Sequence, residues 1–573
     1  MHEIMKLKRG GGMKKAACSF ITILLFIVIF SFQNGNDRIS VSSSDKLVYD
    51  GARVYSLYSN DESTDSGNFF KSDVITIELI IEDYYFGYDI STIQEQYSSF
   101  NKSFIDHYQL EQFGRVIHSD YAPFIKVILD DINGSVGLIY SLMDDSNVRF
   151  LFWGSDIISN LDIDNNLYYS SGDDIVFDDG GGGGSSTKSN VKVGIIDGGN
   201  IDTNVSNRFS GVTIVEKDPT MPNHSHTSAI ADIIVNDYAD NSNLELYTSY
   251  VVQENVADIY SAVDWQITQG IDVINMSAGT NCTSDLGSYD SVARYVDYIV
   301  KKYGITFVAA AGNRDTGACT HYFDDAYVVS PAIGFNVIAV GAITSTNSIW
   351  GLSCYIENSL GISKPNLVTI YSNYVNGGVG TSYSTPRVTA VVAKMMSTNP
   401  HLKGDPGLVM SILHASSNPD IVIGDSSDTD LRGFKNKIGS GKLDYPAANY
   451  VSSVENYKVY TNSFNYDVGK VFLTSKSFYI SNSSTLTVSF SNLVDITKNG
   501  DTYSSNGYTE YIIELYEGSV KVKSITVDRN YAILRHSTTS NMIQYTIKVY
   551  QNSPFPSGVS IEKISIAYFS RVY

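Results

Sequence analysis

From about residue 191 to residue 448, short apolar runs alternate with segments whose apolar residues recur every three or four positions. No other feature limits the fold of this chain so strongly. A strand buried on both faces reads as a continuous apolar run, and a helix with one buried face repeats every 3.6 residues. Their alternation is the pattern of a parallel sheet covered by helices, so the class is α/β. The clearest strands are residues 191–196, 272–276, 305–311 and 337–341. The clearest helices are 256–267, through Ile259, Val263 and Ile267, and 292–302, through Val292, Val296 and Ile299. In such sheets function gathers at the carboxyl ends of the strands, so the residues just past each strand matter most.

Further along lies Gly380-Thr381-Ser382-Tyr383-Ser384-Thr385-Pro386, a glycine turn running into a helix with proline in its first turn. Proline is tolerated there because an amide at that position has no partner inside the helix. Val388, Val391, Val392 and Met395 then recur at helical spacing, so the helix is buried. Ser382 therefore sits at a helix N-terminus, where backbone N–H groups and the helix dipole favour developing negative charge. A nucleophilic serine needs that environment, although a Ser/Thr-rich helix cap reads the same way on its own.

Three other strand ends carry reactive residue types. The first strand ends in Asp197-Gly198-Gly199, which alone would be a turn. Two of the nine histidines stand together in His224-Ser225-His226, ahead of a helix buried by Ile230, Ile233 and Ile234. The apolar run 307–311 ends in Gly312-Asn313, and the run 272–276 leads into Ser277-Ala278-Gly279.

These segments, in this order, resemble the subtilase (subtilisin-like, S8) serine proteases. The first motif resembles their Gly-Thr-Ser-Met-Ala-Thr-Pro signature, and His226-Thr227-Ser228-Ala229-Ile230-Ala231 resembles their His-Gly-Thr-x-Val-Ala. That register selects His226 over His224. The resemblance implies a catalytic triad of Asp197, His226 and Ser382, with Asn313 donating to the oxyanion. It also implies that Ser277, Ala278 and Gly279 pair with substrate backbone as an added strand. It covers roughly residues 74–450 and is strongest over 191–396. The expected activity is hydrolysis of peptide bonds in protein or peptide substrates, with no cofactor required. Structural calcium is frequent in the family, but no run of ligands marks a site in this sequence.

The chain departs from the family at several positions. Gly198 stands where a hydroxyl residue is usual, Thr227 and Asp232 where glycine is, and Arg387 where histidine follows Thr-Pro. The Ala-Pro-Gly expected soon after Leu367 is missing. These departures motivate a rival reading, a catalytically degenerate subtilase-fold binding or adhesion protein whose working part is its C-terminal domain.

The 573 residues leave room for further domains. Lys14-Lys15 precede an uncharged apolar run over 16–32, so residues 1–35 read as a signal peptide or N-terminal anchor. The chain is expected to be secreted or held at the cell surface, where residues 16–32 would provide any membrane anchoring. A polar stretch to about residue 72 reads as a linker. Residues 72–155 follow the order β-α-β-β-α-β, the ferredoxin-like α+β plan. That plan is similar to the subtilase propeptide, which implies an intramolecular inhibitor. Residues 156–190, acidic and then glycine-rich with Gly180–Gly184 consecutive, read as a flexible linker that carries the processing site. The peptidase domain spans 191–450. From 455 to 573 helical patterning stops, and alternating segments such as 486–490, 511–515, 521–527 and 542–549 predict an antiparallel β-sandwich.

A net charge of −21 argues against nucleic acid as a partner. Of four cysteines, Cys18 belongs to the signal, which leaves Cys282, Cys319 and Cys354, an odd number for an exported chain. The segments carrying Cys282 and Cys319 flank the specificity pocket in the family, so the resemblance implies a disulfide between them.

Overall fold

A computed structural model describes residues 47–49, 73–80, 89–153, 158–160, 188–251, 259–280, 289–314, 327–355, 363–373, 377–424, 429–430, 433–463, 471–480, 482–494, 511–527, 530–539, 542–551 and 561–572. The proposed signal segment, Cys282, Cys319 and the glycine run lie outside them. Cys354 is buried and carries a free thiol, which burial pushes up to about 12.

The N-terminal region is a five-stranded sheet with two helices. It runs β1 (Leu47–Tyr49), β2 (Asp73–Leu79), α1 (Ile90–Tyr108), β3 (Gly114–His118), β4 (Phe124–Leu129), α2 (Ile132–Asp144) and β5 (Val148–Trp153). Strand order is β1-β5-β2-β4-β3. Asp89 caps α1 by accepting from the Thr92 amide at 3.0 Å. The helix buries Ile93, Tyr97 and Phe104. Ile75, Ile77, Val127, Leu138 and Leu151 complete the core of this region with Phe104. Strand β1 lies within the stretch that the sequence reads as a linker. It pairs in parallel with β5, so an edge contact and not its own pattern makes it a strand.

A short strand, β6 (Ile158–Asn160), precedes the central sheet. That sheet starts with β7 (Val191–Asp197) and continues through β8 (Thr213–Glu216), α3 (Ser225–Tyr238), β9 (Leu244–Tyr250), α4 (Ile259–Thr268) and β10 (Val273–Met276). After the short β11 (Ala278–Thr280) come α5 (Ser291–Tyr303), β12 (Thr306–Ala310), β13 (Ile338–Ile343), β14 (Leu367–Ile370), α6 (Thr381–Thr398), α7 (Pro406–Ser416) and α8 (Tyr445–Ser453). Seven parallel strands stand in the order β14-β13-β12-β10-β7-β9-β8. The chain enters at β7, lays β8 at the edge and inserts β9 between them on one side, then crosses back to build the other. Its order therefore reverses between β7 and β10, and open α/β sheets bind ligands beyond the carboxyl ends of their strands at such a reversal. Asp197 ends β7, and Ser277 directly follows β10.

Helix α6 is buried from Thr381 to Ser397, although its first turns are rich in hydroxyls. Two of those hydroxyls are satisfied by backbone carbonyls: Thr385 donates to Thr381 O at 2.7 Å, and Ser384 to Thr369 O and Ile370 O at 3.2 Å.

The N-terminal sheet sits on α4 and α5. Phe124 packs among Tyr260, Tyr295 and Tyr298, with ring centroids 6.2, 5.5 and 6.0 Å away. Beside it, buried Asp264 accepts from Ser119 Oγ at 2.9 Å, the Asp120 amide at 2.8 Å and Tyr295 OH at 2.7 Å. Burial outweighs these bonds and pushes the carboxyl up to about 7.

The C-terminal strands are β15 (Tyr457–Ser463), β16 (Val471–Ile480), β17 (Ser484–Asn492), β18 (Tyr511–Glu517), β19 (Val520–Val527), β20 (Tyr531–Ser537), β21 (Ile543–Gln551) and β22 (Ile561–Val572). They form two four-stranded antiparallel sheets, β15-β22-β17-β20 and β16-β21-β18-β19. Leu486, Val488 and Phe490 of one share a core with Ile513, Leu515 and Ile547 of the other. The first sheet also touches α7, where Ser411 Oγ lies 2.8 Å from Ser491 Oγ and donates to Ser565 O at 3.1 Å.

Candidate active site

Asp197 is fully buried at the end of β7, and His226 is the second residue of α3. His226 Nδ1 lies 2.8 and 3.0 Å from the two Asp197 oxygens. A carboxylate only accepts, so Nδ1 carries the proton and Nε2 of the neutral ring is left with the lone pair. Asp197 Oδ1 also accepts from the Gly198 amide at 2.8 Å and from Thr227 Oγ1 at 3.1 Å. Burial pushes this carboxyl up, but the charge and hydrogen bond of His226 outweigh it, and the group stays below its ordinary value. His224 Nδ1 lies 3.9 Å from Asp197 Oδ1. Asp197, His224 and His226 thus offer ligand atoms within 4.8 Å of one another, the one such group of three among the described residues. Three hydrogen bonds already engage the carboxylate, which suits a residue that orients an imidazole.

Ser382 is the second residue of α6 and is fully buried. Its Oγ has no hydrogen-bond partner among the described residues. The ring of Tyr383, the next residue, lies 5.4 Å from that of His226, which brings the imidazole to the start of α6. Asn313 Oδ1 accepts from the Thr381 amide at 2.9 Å and from Thr381 Oγ1 at 2.8 Å. Because an amide N–H can only donate, this fixes the orientation of the Asn313 side chain and leaves Nδ2 as its donor end. The preceding Gly312 has φ +110°, and a Cβ there would come within 2.9 Å of Val329.

Ser277 Oγ donates to Ser382 O at 2.8 Å and receives a bond from Asn275 Nδ2 at 3.0 Å. Asn275 Oδ1 in turn accepts from Thr389 Oγ1 of α6 at 3.0 Å. Beyond Ser277, β11 pairs antiparallel with β6, matching Ala278 to Asn160, Gly279 to Ser159 and Thr280 to Ile158. A Cβ on Gly279 would come within 2.5 Å of Val329 Cγ2, so the close approach requires glycine.

The structure thus gathers Asp197, His226, Ser382, Asn313 and Ser277 at one end of β7, β10 and β12, and Ala278 and Gly279 lead away from that point. The Peptidase_S8 model of the subtilase family matches residues 188–441. Subtilisin of Bacillus pumilus is 32% identical over 235 residues, a stretch covering 37% of this chain and 79% of that protein. The chain belongs to the subtilase family. Subtilisin NAT of Bacillus subtilis subsp. natto is 32% identical over 235 residues, with 57% of its length and 37% of this chain covered. Minor extracellular protease Epr of Bacillus subtilis is 26% identical over 228 residues, with 33% of its length and 37% of this chain covered. Against these last two relatives, the chain spans between a third and about three-fifths of their length.

Within this subtilase, the unusual residues have partners. Thr227 donates its hydroxyl to Asp197. Asp232 accepts from Arg208 Nη1 at 2.9 Å. Arg387 reaches Asp237 at 3.1 Å and Ser372 O at 2.8 Å, joining α6 to α3. Sequence reasoning passed over Thr381 and Tyr383, although both lie inside the motif that carries Ser382. It also missed β6, since Ile-Ser-Asn has no pattern of its own.

Proposed function

We propose that this subtilase is a secreted or cell-surface serine endopeptidase whose N-terminal domain acts as its own inhibitor until cut away. Ser382 Oγ attacks a peptide carbonyl, and His226 Nε2 takes its proton while Asp197 holds the ring and stabilises the imidazolium. Asn313 Nδ2 and the Ser382 amide at the start of α6 donate to the oxyanion. His226 returns the proton to the leaving amine, and water then hydrolyses the ester. No metal or organic cofactor enters this chemistry.

The observation that carries the reading is the buried His226–Asp197 pair set against the N-terminus of the helix that bears Ser382. Extended peptide would be held through the backbone of Ser277, Ala278 and Gly279. Inhibition by the N-terminal domain is supported by the chain's own β6, which occupies the edge of β11 where such a peptide would lie. The match to subtilisins supports protein or peptide as substrate. Secretion is supported by the apolar run over 16–32, and among the described residues no helix is long and apolar enough to cross a membrane.

The test is covalent labelling with a fluorophosphonate probe, followed by peptide turnover. We expect labelling of the mature protein that Ser382→Ala abolishes, with turnover falling on the order of a million-fold, the scale of that loss in subtilisin itself. A binding protein on the same scaffold would neither label nor cleave.

A further inference from the structure

His224 is the member of the histidine pair that the triad does not use. Its Nδ1 is buried, has no hydrogen-bond partner among the described residues and lies 3.9 Å from Asp197 Oδ1. The rest of the ring is open, with the side chain 37% exposed. Backbone bonds pin the residue: its amide donates to Asn200 O at 2.9 Å, and its carbonyl accepts from the Ser228 amide at 3.0 Å and from Ser228 Oγ at 2.8 Å. Gly199, just past the end of β7, lets the histidine come so near. A Cβ there would meet Pro222 O at 2.7 Å and His224 Cβ at 3.0 Å, so glycine is required.

A buried ring nitrogen without a partner, set beside a carboxylate and a second imidazole, is a metal-ligand arrangement. The ligand atoms of Asp197, His224 and His226 all lie within 4.8 Å of one another. Around zinc, bonds of about 2.0–2.1 Å put tetrahedral ligand atoms about 3.3 Å apart. His226 Nδ1, at 2.8 and 3.0 Å from the carboxylate, would move out, and His224 Nδ1, at 3.9 Å, would move in. Each shift is about half an ångström. Asp197 keeps room for the ion, because a carboxylate offers about four acceptor sites and three donors engage it. Two imidazoles with one carboxylate suit zinc and not calcium, which takes oxygen ligands.

We infer that Asp197, His224 and His226 bind a zinc ion that switches the triad off. The effect on rate rests on the proposed endopeptidase reading, whereas the binding does not. Zinc competes with the proton that His226 Nδ1 shares with Asp197. When the ion takes the Nδ1 lone pair, that proton leaves to solvent and Nε2 takes one from solvent, so the ring stays neutral. Nε2 then carries an N–H and has no lone pair to receive the proton of Ser382. Water completes the coordination, and the half-exposed His224 is the side from which the ion enters. Removing the ion reverses the exchange.

Zinc sulfate is titrated by calorimetry into the untagged full-length Ser382→Ala chain and into the same chain carrying His224→Asn. Calcium is present throughout, at about pH 8, where both imidazoles are neutral. We expect a single zinc per Ser382→Ala chain, with affinity at least about tenfold weaker once His224 is replaced. Equal binding by both chains, or none by either, overturns the inference. In parallel, zinc is titrated against peptide turnover by wild type and by His224→Asn, each rate taken relative to its own metal-free value. Wild type should be inhibited at a zinc concentration at least about tenfold lower, and a chelator should restore its rate. Turnover that persists at zinc concentrations that fill the site overturns the inference and leaves the endopeptidase reading standing. Zinc binding that depends on His224, in a protein with no turnover at all, sustains the metal site and overturns the endopeptidase reading.

Discussion

Glu78 and Arg294 form a two-point ion pair across the junction between the N-terminal sheet and α5. Arg294 Nε donates to Oε2 at 2.7 Å and an Nη to Oε1 at 3.0 Å, and the side chains are 0% and 1% exposed. Arg149 adds a second cation 3.9 Å from the same carboxylate. A pair this deep fixes orientation more than it adds stability, because removing both charges from water offsets much of their attraction. Losing one partner alone is costly.

Arg294→Leu should therefore destabilise the uncut chain by about 3 kcal/mol, by leaving Glu78 buried without its main partner. Adding Glu78→Leu should recover part of that loss. Urea denaturation of the four members of this cycle, in the Ser382→Ala background, provides the measurement. A double variant whose loss equals the sum of the two single losses would show that the pair is not coupled.

Asp264 makes the same junction sensitive to pH. Its carboxyl is pushed up to about 7 in the folded chain, against about 3.9 when unfolded. Between those values the folded state holds a proton that the unfolded state has released. This contribution to stability therefore falls as pH rises from about 4 to about 7 and is flat above. Asp264→Asn should remove that slope from urea midpoints taken across the window. Parallel curves for the two proteins would rule out Asp264 as its source.

Thr227 contributes a hydroxyl to Asp197 where the family usually has glycine. Thr227→Val keeps the shape and removes the bond, which at a charged acceptor is worth about 1.5 kcal/mol. We expect kcat on a peptide substrate to fall about tenfold with KM little changed. A kcat equal to wild type would mean that the other two bonds to Asp197 suffice.

Gly279→Ala tests the close approach of β11 to Val329. The added Cβ would press on Val329 at 2.5 Å and on Ser330 O at 3.0 Å. Relief of that contact should cost about 1–3 kcal/mol and shift β11 away from its partner. Thermal denaturation should show a lowered Tm, and self-cleavage should slow. A variant that melts and processes like wild type would show that the strand yields freely.

Much of the central sheet was legible because its strands are buried on both faces. The runs at 191–196, 272–276 and 305–311 fall within one or two residues of β7, β10 and β12. Strands β8 and β9 were not, since Thr213–Glu216 is only half-buried and β9 carries Glu245, Thr248 and Ser249. Helix α6 announced itself through Pro386 and its valines. The partner of Thr227 could not be read, because a hydroxyl 30 positions from Asp197 becomes a donor only once β7 and α3 are side by side. The same holds for β6, whose three residues become a strand through what they lie against.

That strand is tethered to the cleft it fills. While the chain is whole, its local concentration at β11 is about millimolar, however dilute the protein. If the proposed cut is made, the occupant would become a separate molecule held by the tyrosines around Phe124 and by Arg294, and its hold would depend on how much of it surrounds each enzyme. On the proposed reading, dilution would then act as the release signal: a crowded source would keep the enzyme quiet, and the same molecules carried away from it would switch on.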